Sequence, residues 1–225
     1  MPVRPRRGRP PLTSREAILD TVLELGLDQA TITSVSARLG VDQSTLYRHV
    51  DGVEDMLDAA VALAVARSDW PEPDDDWAEY LRTCAQAMWR MFARTPGLAQ
   101  RLREMKTVPD ELVAQSYRVV EHLTTGLGFE LREAALIVDT IGDMTADAFL
   151  TIESLHRPVE GGGSYSEQVL ARMAEAGATI ADPALSGQYL EAMRYAMGEP
   201  GRPSRWWQDK VDLVIDGVAH RLEAR

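Results

Sequence analysis

The chain of 225 residues contains one cysteine, three phenylalanines and four histidines. No apolar run approaches the roughly 20 residues that a membrane-spanning helix requires. A lone cysteine, Cys84, excludes an internal disulfide and is expected to serve as a small buried hydrophobe, in keeping with a reducing, cytoplasmic setting. His49, His122, His156 and His220 are scattered, and no pair has the spacing of metal ligands on one helix. There is no Gly-x-Ser-x-Gly nucleophile turn, no Walker loop and no dinucleotide fingerprint. The run Gly161-Gly162-Gly163 lacks the following Lys-Ser/Thr of a phosphate cradle. The basic N-terminus is not followed by the apolar segment of a secretory signal. A soluble protein without metal, cofactor or catalytic residues is therefore expected, and an enzyme is not.

The formal charge is -11, which opposes nucleic-acid binding by the surface as a whole. Its distribution is uneven. The first fifty residues carry seven arginines against five acids, while the rest carry 17 basic against 30 acidic residues. Only the N-terminal part suits a polyanion. Residues 1–12 hold four arginines, four prolines and one glycine with no hydrophobic periodicity, which predicts a disordered arm. Within it, Arg7-Gly8-Arg9-Pro10 is similar to the core of an AT-hook. Arg7 and Arg9 flank a glycine that allows close approach to a narrow minor groove, although a solubilising basic tail has the same composition.

The stretch from Thr33 to Asp58 is the most informative. Val35 and Leu39 have helical spacing, with Thr33 as the expected N-cap and Ala37 as a small buried residue. Gly40 stands where a left-handed C-cap is needed. Val41 follows as an apolar plug, and Asp42 is placed to cap a second helix over about 43–50. A stop glycine, an apolar residue and a new cap within three positions describe a helix-turn-helix. Gln43, Ser44, Thr45 and Arg48 are the candidate base-reading residues. They lie at or near the start of the second helix, and Gln and Arg can form bidentate pairs with adenine and guanine. Before this stretch, Thr13 and Glu16 have the spacing of a capping box for a helix to about Leu27. After it, a connecting helix begins at Val53.

The remainder reads as helices separated by Pro and Gly: about 75–94, 98–105, 109–127, 131–156, 166–180, 183–197 and 204–222. An all-α chain is expected, divided into a basic arm (1–12), a three-helix DNA-binding domain (13–58) and a larger helical domain (59–225). Asp139, Asp143 and Asp147 recur at four-residue intervals along one helix. They fit a solvated face, a subunit contact or the mouth of a site for a cationic ligand.

The residues Thr33, Val35, Ala37, Leu39, Gly40, Val41, Thr45, Leu46, Tyr47, His49, Val50 and Leu57 resemble the DNA-binding end of TetR-family transcriptional regulators. The resemblance covers the first quarter of the chain. It implies that Tyr47 and His49 meet phosphates, with Thr33 in the same interface. Val53 departs from the pattern, which usually has a lysine there, so affinity would lean more on the arginine arm. The resemblance further implies a homodimer reading double-stranded DNA at a palindromic operator. It places Met88, Trp89, Phe92, Met105, Tyr117 and Met144 around a pocket for a small, mostly apolar effector, with Asp143 as its candidate charged group. A repressor released by its ligand is the expectation; a ligand-independent regulator whose larger domain only dimerises is the alternative.

Overall fold

A computed structural model describes residues 13–180, 182–200 and 202–224. The described residues are helical, with a single isolated bridge between Pro158 and Ser164 and no longer strand. In chain order the helices are α1 (Arg15–Leu25), α2 (Ile32–Leu39), α3 (Gln43–Leu46), α4 (Val53–Ala66), α5 (Trp77–Arg94), α6 (Leu98–Glu104), α7 (Asp110–Glu121), α8 (Leu131–Leu155), α9 (Tyr165–Ile180), α10 (Pro183–Ala196) and α11 (Arg205–Glu223). They form two compact units. Among the described residues, the first comprises 13–67 and 95–109, and the second those of 68–94 and 110–224. The first unit thus takes in all of α4 and also α6.

In the first unit, α1 packs on α4 and α2, and α6 packs on α4. Its buried side chains include Ile18, Val22, Val35, Leu46, Met56, Val61, Val65 and Leu98. Ser14, not Thr13, caps α1 by accepting from Ala17 N at 3.1 Å. The Thr13 side chain is buried and its hydroxyl meets no partner among the described residues. Helix α2 is capped two residues earlier than expected, by Thr31, with Ser34 completing a reciprocal box. The return of residues 95–109 rests on a close backbone approach. Leu27 N donates to Pro96 O at 2.8 Å, and Gly97 has φ +81°. A Cβ on Gly97 would lie 2.7 Å from Asp28 N, so only glycine fits this crossing. Arg101 on α6 then reaches α4, donating to Glu54 at 2.6 Å and to Asp58 at 3.1 Å.

In the second unit, α8 packs on α5, α7, α9 and α11. One face of α8 buries Ala134, Ile137, Ile141, Thr145, Phe149 and Ile152, at the three- and four-residue spacing of an apolar stripe. An aromatic cluster fills the contact with α5 and α11: Trp89 lies 5.2 Å from Phe149 and 4.6 Å from Trp207, and Phe92 lies 5.4 Å from Phe149. Arg82 on α5 donates to Asp212 on α11 at 2.6 Å. The helix expected over 109–127 ends instead in a π-helical turn, His122–Gly126. Thr124 and Thr125 donate their hydroxyls back to Val120 O (2.8 Å) and Glu121 O (2.7 Å). This competition for carbonyls accompanies the wider i to i−5 bond from Leu127 N to His122 O. Helices α9 and α10 pair as a hairpin. Asp182 caps α10 through Ala184 N and Leu185 N, with Pro183 at its start.

Candidate nucleic-acid interface and helical interior

The turn between α2 and α3 is built as its residues dictate. Gly40 takes the left-handed conformation, φ +66° and ψ +34°, and Val41 N donates to Ser36 O at 3.1 Å. Asp42 occupies the next N-cap position but makes no side-chain capping bond. Helix α3 is a single turn. Arg48 N bonds Thr45 O and His49 N bonds Leu46 O, so residues 47–49 continue as tighter turns and not as the helix expected to reach Val50.

Gln43, Ser44, Tyr47 and Arg48 are all exposed, Tyr47 to 56%. Thr33, on α2, is exposed as well, and Gln43 Nε2 donates to its Oγ1 at 3.1 Å. The bond ties two of the candidate DNA-contacting residues into one polar surface spanning both helices. Thr45 does not join them. It is only 9% exposed and lines a shallow cleft with Ser36, Ala37, Gly40, Val41 and Asp42. Beside the fully buried Leu46, it lies on the inward side of the turn. Ala37 is likewise exposed, and the buried small residue of α2 is Ser36, whose hydroxyl donates to Thr33 O at 3.0 Å. His49 is half-buried, and its carbonyl accepts from Arg15 Nη1 at 2.6 Å. Arg7 and Arg9 lie outside the described residues.

The second unit sorts the candidate pocket residues. Trp89 and Phe92 are fully buried in the aromatic cluster, and Met88 and Met144 are half-buried. Tyr117 is 71% exposed. Helix α7 turns Gln115 and Val119 inward, and Tyr117, two residues from each, falls on the opposite side. Asp143 is exposed for the same reason, midway between the buried Ile141 and Thr145, and Asp139 and Asp147 are exposed beside it. Met105 follows α6 and belongs to the first unit. Tyr117 and Asp143 therefore face away from this interior.

Two interior polar atoms stand out. Trp89 Nε1 and Gln115 Oε1 are buried and meet no hydrogen-bond partner among the described residues. By contrast Trp207 Nε1 donates to Thr145 Oγ1 at 3.2 Å, and that hydroxyl donates to Ile141 O at 2.7 Å. Gln115 was not singled out in sequence; its spacing of four from Val119 is the signal that turns it inward. Cys84, half-buried on α5, has its thiol pushed up to about 12 by burial. Burial raises the buried Tyr80 hydroxyl as well, reinforced by the neighbouring Cys84.

No family model matches the chain. It is similar to the class D tetracycline repressor protein of Escherichia coli, 30% identical over 144 residues, which is 61% of this chain. The class A tetracycline repressor protein from transposon 1721, also of Escherichia coli, is 28% identical over 225 residues, covering 94% of this chain and 91% of the relative. By these relatives the chain is similar to tetracycline repressor proteins. It spans 65% of the length of the class D relative. Among solved structures, the TetR-family protein ActR of Streptomyces coelicolor in complex with actinorhodin has a TM-score of 0.68. That match is 20% identical over 92% of this chain and 97% of the other, a likeness of fold. The chain shares the all-helical architecture of ActR, with the helix-turn-helix at its N-terminal end.

Proposed function

We propose that this protein is a sequence-specific DNA-binding transcriptional regulator, acting as a cytoplasmic homodimer on a palindromic operator. The observation that carries the reading is the α2–α3 turn, with Gln43, Ser44 and Arg48 exposed on and just after a short helix. Exposed amide, hydroxyl and guanidinium groups at a helix start suit base edges and phosphates. The names of the similar repressor proteins support regulation of transcription. A palindrome requires two copies of the reader, about 34–36 Å apart.

We further propose that a small, mostly apolar ligand releases it from DNA as a repressor. The buried aromatic interior supports an apolar ligand. Ligand binding would favour a conformer whose α4 helices set the two readers at the wrong separation, a population shift driven by different affinity for two states.

Selection of duplexes from a random library at moderate salt tests the DNA reading. Enrichment of an inverted repeat is expected, and no preference over random competitor overturns it. Arg48→Ala is expected to relax base preference at one position per half-site; equal weakening on every sequence would reassign Arg48 to phosphate. Release is tested on the selected duplex with a panel of apolar compounds. Unchanged affinity across the panel would count against induction.

A further inference from the structure

Arg15, the first residue of α1, joins three helix ends of the first unit. Its Nη1 donates to the carbonyl of His49, in the turn after α3, at 2.6 Å and to Asp55 Oδ2 at 3.2 Å. Its Nη2 donates to Asp55 Oδ1 at 3.0 Å, completing a two-pronged pair with the first turn of α4. Asp55 Oδ2 also accepts from Asp51 N at 2.9 Å, which closes the turn between the DNA-reading segment and α4. The planar guanidinium presents parallel donors that a lysine ammonium lacks, and its charge sits against the carbonyl of His49.

We propose that Arg15 is a positioning residue for DNA recognition: it holds the turn Tyr47–His49 and the start of α4 in register without touching DNA. This inference rests on the DNA-binding reading above. Three bonds already commit the guanidinium, and Asp55 balances its charge, so it adds little to the attraction of phosphates. Its contribution to affinity comes from the placement of Tyr47, Arg48 and His49.

The test uses the full chain, the duplex selected from the random library by the wild type, and a salt series. Arg15→Met is expected to lose about tenfold in affinity for that duplex, on the scale of losing hydrogen bonds to a charged group. The slope of log affinity against log salt should stay unchanged. A lost phosphate contact would instead lower the slope by about 0.9. Arg15→Met/Asp55→Asn should remain as weak as Arg15→Met alone, because removing the acid does not restore the clamp, and Arg15→Lys should recover affinity only in part. Helix content and thermal midpoint of each variant separate misplacement from unfolding; Arg15→Lys keeps the test open if Arg15→Met does not fold. Wild-type affinity in both Arg15→Met and Arg15→Lys overturns the inference, as does a salt slope reduced by about 0.9. Recovery of wild-type binding in the double variant overturns it too, since repulsion by an unpaired Asp55 would then be the whole effect. If the wild type itself selects no duplex, the DNA reading fails and this inference falls with it. Selection by the wild type with an indifferent Arg15→Met and Arg15→Lys removes this inference alone.

Discussion

Trp89 and Trp207 stand 4.6 Å apart in one aromatic cluster, both fully buried, yet only Trp207 has its indole N–H paired. Thr145 supplies the acceptor and donates its own hydroxyl to Ile141 O. Thr145→Val keeps the shape and removes the acceptor, leaving Trp207 unpaired. A loss of about 1–3 kcal/mol in chemical denaturation is expected, and Thr145→Ser should restore most of it. Equal stability of the Val variant and the wild type would show that the bond contributes nothing net.

The Gln43–Thr33 bond predicts a coupled effect on base choice. Thr33→Val removes the oxygen that orients the Gln43 amide. Discrimination at one base position per half-site is expected to fall about threefold to tenfold, part of the 1–3 kcal/mol a well-placed bidentate pair supplies. Gln43→Ala should abolish discrimination at that same position. Binding to single-base variants of the selected duplex measures both, and effects at different positions would break the proposed link.

Gly97 and Gly128 separate two reasons for glycine. Both have positive φ, but a Cβ on Gly97 meets Asp28 N at 2.7 Å whereas one on Gly128 meets nothing within 4 Å. Gly128→Ala should cost about 1 kcal/mol from backbone conformation alone. Gly97→Ala should cost at least about 2 kcal/mol, since the backbone around Asp28 must also move. Urea titration of the two variants decides it; similar losses would mean that the crossing has slack.

The Cys84 thiol, held at about 12 by burial, predicts a dependence on pH at the alkaline end. An unfolded cysteine ionises near 8.5. The raised folded value means that the thiolate favours the unfolded chain, so stability is fully present below about pH 8.5 and falls as pH rises toward the folded value. Cys84→Ala should flatten that decline. At pH 8 the native thiol should react with a thiol-specific reagent orders of magnitude more slowly than the denatured chain. Rapid labelling of the native protein would contradict its burial.

Much of the helical plan was legible because its signals are local. The periodic stripe from Ala134 to Ile152, the stop at Gly40, Asp182-Pro183 at the head of α10 and Ser204 before α11 each act within a few residues of the boundary they set. The caps of α1 and α2 were placed off by one or two residues because several hydroxyls compete there, and backbone angles decide which accepts. The second half of the expected reading helix was lost for a related reason: from Tyr47 to His49 the chain turns too tightly to continue the α-helical spacing.

By itself the sequence determined an all-helical chain, an N-terminal helix-turn-helix and a basic end attached to an acidic remainder, since spacing, capping and charge are written in neighbouring residues. The tertiary structure alone decided that Thr45 turns inward, that Tyr117 and Asp143 face out, that residues 95–109 return to the first unit, and that Arg15 joins three helix ends. Each of these depends on which of two faces of a helix meets a distant partner. Arg15 and Asp55 are forty residues apart, a separation across which no local pattern reports on contact.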